Sequence, residues 1–374
     1  MSLSLLCSNT PEGRRRKDIR YLVYDLGKFD EPTQKLLRIA ADCLSNSSST
    51  STTSDNEDDG GCEDTGSRGK LFQHKSPVPK MGRQTYKMWK ASLELSMGLF
   101  SRANLLDKPK TLHFWPLENF PDAVTTNFRV PGFDLIEFLV HFLQTYFPGL
   151  DVRLENLHDI NTDDSNLVSR YHKKTKKKQF LVSDLYSQLH SLTGTLKRDF
   201  ILGWTWTDLY PTEELNFVLG EASFVHRCAV LSFGRYEPLS YKVNEDLETV
   251  HGIDGDVEED EASSVRVDGD LLWKLLRVAT HETSHLFGLN HCVFFECSMN
   301  ESKSISQALS QPFFLCPICL RKLQRFLKFD VKERYKGLFK VCRTLQEFYP
   351  SPGMERTCQW LERCMTFLNT ENGS

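Results

Sequence analysis

The run His281-Glu282-Thr283-Ser284-His285-Leu286-Phe287-Gly288-Leu289-Asn290-His291 constrains this chain more than any other stretch of it. The segment Asp268–Asn290 reads as one helix. Leu271, Leu272, Leu275, Val278 and Ala279 recur on a core-facing stripe, and Asp268 or Asp270 stands where an N-cap belongs. His281 and His285 are four residues apart, so they project from one face, one turn above the other, and can share a metal. Glu282 adjoins the first histidine but is rotated off its direction. It can hydrogen bond a water on that metal without ligating it. Gly288 supplies the backbone freedom for a sharp exit from the helix, and the turn brings His291 back to the metal from outside it. Three neutral imidazoles with a fourth position left open is the arrangement of a catalytic rather than a structural zinc.

Four cysteines follow at once: Cys292, Cys297, Cys316 and Cys319. Cys316-Pro-Ile-Cys319 is a CxxC turn leading into the helical run LRKLQRFLKF, and such a turn lets two thiolates bind one zinc from a tight loop. Cys292 and Cys297 can supply the opposing pair, giving a structural four-cysteine zinc that ties the chain just after His291. A redox CxxC is the competing reading. It leaves the upstream pair unexplained and does not follow a clear strand of a βαβ unit.

The 374 residues are 40% apolar and 11% aromatic, enough for a sizeable globular core. A net charge of -4 gives no global field for nucleic acid or membrane. No apolar run approaches the ~18 residues of a spanning helix, and the basic cluster Arg14–Lys17 lies downstream of the short apolar patch, the reverse of a secretory signal. Eleven cysteines in a long chain without such a signal suit metal ligation and buried thiols in a reducing compartment. The expected location is intracellular and cytoplasmic, with the basic run 172–178 (HKKTKKK) leaving a nuclear location open.

Three regions are expected along the chain. Residues 1–107 form an N-terminal helical region with helices over Glu31–Leu44 and Gln84–Ala103. Between them 45–69, rich in Ser, Thr, Asp and Gly, is a mobile insertion with too little to bury. Residues 108–340 form the main domain. Strands are expected at Thr111–Trp115, Asp151–Leu157, Phe200–Thr205 and Cys228–Tyr236, and helices at Phe133–Phe147 and Leu181–Leu196. Solvated loops are expected at 172–178 and at the acidic 245–261. Residues 341–374 form a C-terminal helical extension. The fold class is α+β, a mixed sheet with helices packed on it.

The stretch from His281 to Cys319 resembles the archaemetzincins, a metzincin family marked by HExxHxxGxxHC, then CxM, then a distant CxxC. All of these elements stand here, Cys297-Ser298-Met299 among them. Residues 203–211 (GWTWTDLYP), 229–236 (AVLSFGRY) and 333–338 (ERYKGL) are similar to segments of animal members. The resemblance implies a metzincin-like catalytic domain with a twisted mixed sheet over the active-site helix, a four-cysteine zinc subsite and flanking helices. It implies two zinc ions per chain, one catalytic on His281, His285 and His291 and one structural on Cys292, Cys297, Cys316 and Cys319. Met299 becomes the Met-turn methionine beneath the metal.

The implied activity is zinc-dependent peptide-bond hydrolysis with Glu282 as general base. Tyr210 and Tyr236 are candidates to assist at the oxyanion, and the Gly234-containing strand is a candidate sheet edge for an extended substrate. The expected partner is a peptide or protein substrate, with neither nucleic acid nor membrane, and the oligomeric state is left open. Two other readings compete: a catalytically silent, zinc-stabilised interaction protein on a peptidase scaffold, and a zinc-ribbon nucleic-acid binder using Arg321, Lys322, Arg325 and Lys328. The intact Glu282 argues against the first, and the acidic 245–261 against the second.

Overall fold

Residues Phe200–Thr205 are buried from end to end, and so are Cys228–Ser232. Near-continuous apolar runs of this kind are the mark of strands covered on both faces. The computed structural model describes Gln34 and residues 71–73, 75, 82–100, 109–126, 128–160, 167–192, 199–236, 267–302 and 304–369. The expected helix at Glu31–Leu44, apart from Gln34, the insertion 45–69 and the acidic loop 245–261 all lie outside the described residues.

In chain order the described elements begin with α1 (Tyr86–Phe100), β1 (Lys110–Pro116), the short α2 (Asp122–Thr125), α3 (Leu135–Tyr146) and β2 (Leu150–Leu154). Then come β3 (Ser169–Tyr171), β4 (Lys178–Leu181), α4 (Val182–Leu192), β5 (Phe200–Thr205), β6 (Asp208–Tyr210), β7 (Gly220–Ser223) and β8 (Cys228–Ser232). A 3-10 turn at Gly234–Tyr236 precedes α5 (Gly269–Leu286), α6 (Ile305–Ser310), α7 (Pro317–Leu327), α8 (Val331–Phe348) and α9 (Pro352–Asn369). The molecule is a mixed α+β fold, as expected. Among the described residues no helix is long and apolar enough to cross a membrane.

The main sheet has the order β2-β1-β5-β8-β7. Its first four strands are parallel, and β7 pairs antiparallel to β8 at the edge. Alternation along β5 sends Phe200, Leu202 and Trp204 into the larger core and Ile201 into a smaller one on the opposite face. Helix α4 covers that smaller face with Leu185 and Leu189, while α3 and α5 cover the other. A second sheet, β3-β4-β6, stands beside it. Helix α8 runs unbroken across 340–341, and α9 adds Trp360 to the larger core, stacked on Phe314 at 3.8 Å between ring centroids.

Several expected elements shift. Helix α3 starts at Leu135 behind a complete capping box, in which Asp134 accepts from the Glu137 backbone and Glu137 reaches back. The strand expected through Tyr236 ends at Ser232 in the 3-10 turn. The basic run 172–178 closes the β3–β4 hairpin and buries His172 and Thr175, so it is not simply a solvated loop. Strand β7, Gly-Glu-Ala-Ser, was not expected: it has no β-branched or aromatic residue and forms through its pairing with β8.

Candidate metal centre

Helix α5 begins as its sequence dictates. Asp268 is the N-cap, its carboxylate accepting from the Leu271 backbone at 2.8 Å. It ends at Leu286, four residues before the expected Asn290, because the chain must turn back. Gly288 has φ +77°, open to glycine at little cost, and donates its N–H to the His285 carbonyl at 2.9 Å. His291 therefore faces the two helical histidines from outside the helix. The ring centroids lie 4.8 Å (His281–His285), 5.5 Å (His281–His291) and 5.0 Å (His285–His291) apart. One ring nitrogen from each can be chosen so that all lie within 4.8 Å of one another.

The orientation of the rings is fixed from behind. Nδ1 of His281 donates to the Ser298 carbonyl at 2.6 Å, and Nδ1 of His285 donates to the Leu289 carbonyl at 2.5 Å. A carbonyl only accepts, so both Nδ1 atoms carry the proton and both Nε2 atoms present lone pairs. Those two Nε2 atoms face each other at 3.1 Å. Opposed lone pairs at that distance repel unless a cation stands between them, so this donor set fits a metal. Burial holds the His281 and His285 pKa values down, His281 well below 6.5 with His285 adding to the effect, and His285 to about 4. His291 is also lowered by burial. All three are neutral ligands at neutral pH.

Glu282 is buried between this cluster and the edge strand. A Cβ placed on Gly220 of β7 would stand 2.7 Å from Cγ of Glu282, so only glycine leaves room for the carboxylate arm. Burial, with Glu221 as the second cause, raises the Glu282 pKa to about 8. The group opens on a cleft of about 250 Å³ lined by Phe217–Gly220, Tyr236, Arg277, His281, Glu282, His291 and residues of 301–311. Of the two candidate tyrosines, Tyr236 lines this cleft. Tyr210 lies instead under the Arg170 guanidinium, 3.9 Å from its ring centroid, in the smaller sheet. The turn that carries Tyr236 is anchored by Arg235, whose guanidinium pairs at 2.7 Å with buried Asp208. The strand holding Gly234's neighbours is not a sheet edge, since β8 is flanked by β5 and β7. The edge bordering the cleft is β7.

Cys292, Cys297, Cys316 and Cys319 are all buried, with their sulfurs within 4.8 Å of one another, and Cys292 Sγ stands 3.7 Å from Cys316 Sγ. Backbone N–H groups of Cys316 and Met299 point at Cys297 Sγ, at 3.2 and 3.5 Å. Hydrogen bonds from the other three thiols hold Cys292 well below the usual thiol range, while burial raises Cys316. Four such groups and inward N–H donors suit a cation better than any proton arrangement. Met299 is fully buried and its carbonyl accepts from Cys292 N at 2.6 Å. The adjacent Ser298 carbonyl is the His281 acceptor, so the CSM turn and the helix are locked together.

Sequence reasoning missed the residues that hold the returning turn. Gln84 donates to the Gly288 carbonyl at 2.9 Å and accepts from Asn290 N at 3.0 Å. Lys322 reaches Gln84 from α7, and Trp89 of α1 donates to the Phe287 carbonyl at 3.1 Å. Asn300 is buried and bonds Cys292, Phe295 and Cys297 through backbone groups. Nothing in the local sequence marks these polar residues, which act across more than 190 positions for Gln84 and Trp89.

Residues 268–325 match the profile of peptidase family M54. The chain is 32% identical over 225 residues to archaemetzincin-2 of Macaca fascicularis, covering 57% of this chain and 60% of that protein. It is 32% identical over 166 residues to archaemetzincin-1 of Homo sapiens, covering 43% of this chain and 33% of that one. The chain thus spans about 60% of the length of the archaemetzincin-2 relatives it matches. A crystal structure of an archaemetzincin from Methanopyrus kandleri aligns with 59% of this chain and 96% of its own, at 23% identity and a TM-score of 0.37.

Proposed function

We propose that the chain is a zinc-dependent metallopeptidase of the archaemetzincin family, with His281, His285 and His291 as the catalytic metal ligands. The observation that carries the reading is the pair of opposed, proton-free Nε2 atoms of His281 and His285, 3.1 Å apart, beside Glu282 in a cleft bordered by a strand edge. When bound, zinc supplies Lewis acidity, polarising a carbonyl and acidifying water to a pKa of about 7.

Everything else falls to the chain's own residues. Glu282, next to His281 on α5 but rotated off its direction, serves as the base, taking a proton from the attacking water and handing it to the departing amine. Its buried carboxyl sits near 8 without a metal, and a cation in the histidine cluster would favour the ionised form and lower that pKa. Tyr236, whose phenol burial keeps protonated, is placed to donate a hydrogen bond to the developing oxyanion. Strand β7 offers its free edge to an extended peptide, and Gly220 lets that strand pass close to Glu282. Cys292, Cys297, Cys316 and Cys319 hold the second, structural zinc, with Met299 as the Met-turn methionine. The substrate is a peptide or protein.

The test is digestion of a diverse peptide mixture by wild type and Glu282→Ala, with and without chelator, read by mass spectrometry. Cleavage by wild type that disappears both on chelation and in Glu282→Ala is expected. Equal cleavage by Glu282→Ala would remove Glu282 from the mechanism.

A further inference from the structure

One helical turn before His281, on the same face of α5, Arg277 enters the cleft. It is 6% exposed. Its guanidinium donates from Nη1 to the Gln311 carbonyl and to the Pro312 carbonyl at 3.0 Å, and from Nη2 to Oε1 of Gln311 at 2.9 Å. All of these acceptors are neutral. Among the described residues no carboxylate pairs with Arg277, although Glu282 and Glu301 line the same cleft. Among the described residues the other groups around it are Tyr236, Tyr146, Cys297 of the four-sulfur group and the ring of Trp273, 5.1 Å from the guanidinium carbon.

A buried cation with no carboxylate in contact is costly. Clamping the Gln311–Pro312 loop needs donors but not a charge. The planar fork of Arg, held rigidly by carbonyls, is the side chain best matched to a carboxylate. Resting on the metallopeptidase reading above, we propose that Arg277 makes a carboxylate-binding subsite in the cleft. It would select peptides carrying an acidic side chain, or a free C-terminal carboxylate, beside the bond presented to the histidine cluster. Burial draws its pKa to about 10, which leaves it charged at neutral pH.

Peptide hydroxamates test this, because the hydroxamate anchors each probe at the histidine-bound zinc and fixes its register. Four dipeptide hydroxamates would be titrated calorimetrically into the zinc-loaded protein: Glu, Gln and Lys versions with blocked ends, and a Gln version with a free carboxyl terminus. At least one carboxylate probe is expected to bind about ten- to a hundredfold more tightly than the blocked Gln probe, with Lys the weakest. Which of the two binds tightly tells a side-chain from a terminal carboxylate. Arg277→Gln should erase the preference and Arg277→Lys should keep part of it. The comparison among probes on wild type stands even if Arg277→Gln does not fold. Equal affinities on wild type would overturn the subsite while leaving the metal centre intact. Failure of every hydroxamate to bind would overturn the metal reading and the subsite with it.

Discussion

Gly220 and Glu282 are in contact across the cleft wall: the position of a Gly220 Cβ lies 2.7 Å from Cγ and 3.0 Å from Cδ of Glu282. The edge strand thus sets where the carboxylate can point. Gly220→Ala is expected to displace Glu282 by a fraction of an ångström and lower kcat by about ten- to a hundredfold, because small misplacements of a base are costly. Zinc content should not change. A Gly220→Ala protein with wild-type kcat would show that the carboxylate is not held by this contact.

The metal-free cleft makes a signed prediction about pH. His285, ordinarily near 6.5, sits at about 4 in the folded protein, and His281 and His291 are lowered too. The unfolded chain binds protons on them that the folded one refuses, so stability rises as pH climbs from about 4 to 6.5. Glu282 has the opposite sign. Folded, it keeps a proton up to about 8 that the unfolded chain gives up near 4.5, so its contribution is lost as pH rises through that window. Three histidines outweigh it below 6.5; above that their effect is complete and Glu282 acts alone. The protein stripped of the histidine-bound metal should be most stable near pH 6.5 and weaken toward 8. Glu282→Gln should flatten that upper limb. Melting curves across pH decide the matter, and an unchanged upper limb in the variant would refute it.

Gln84 should matter to the metal despite lying about 200 residues from its ligands. Gln84→Ala removes the clamp on Gly288 and Asn290 and leaves Lys322 short of one buried acceptor. A loss of about 2 kcal/mol in stability is expected, with faster zinc release from the histidine site. Zinc release measured with a chromogenic chelator checks this, and an unaltered rate would place the turn under other control.

Cys316→Ser should do a different kind of damage. The thiol belongs to the buried four-sulfur group and its backbone N–H also serves Cys297. A metal bound here would be coupled to folding of the segment that follows His291. The variant is expected to lose solubility and melting temperature first, and activity only through disorder at His291. Full thermal stability in Cys316→Ser would exclude a structural metal at this group.

The helical half of the site was legible because helix periodicity and ligand spacing are local. His281, Glu282 and His285 needed only the four-residue repeat, and Gly288 marked the turn at which α5 stops. Strands β5 and β8 were legible as buried apolar runs. What escaped depends on long-range geometry. Gly-Glu-Ala-Ser at β7 carries no strand signal of its own, so the sheet edge was assigned to the wrong strand. Tyr210 and Tyr236 look alike in sequence, and only topology sends one into the cleft and the other under Arg170. Gln84 and Trp89 act on backbone atoms about 200 positions away, and Asn300 on backbone atoms of its own turn, and no local pattern announces such bonds.

The central claim is that the metal held by His281, His285 and His291 is the one that hydrolyses peptides. Zinc content and peptide cleavage measured together during mild chelation test it most directly. The purified protein should carry two zinc ions. The open histidine site should empty first, so cleavage should vanish as one zinc leaves while the fold persists, and return when zinc is restored. Cleavage that continues after that site is emptied, or a protein that holds a single zinc with all four of Cys292, Cys297, Cys316 and Cys319 alkylated in the native state, would contradict it.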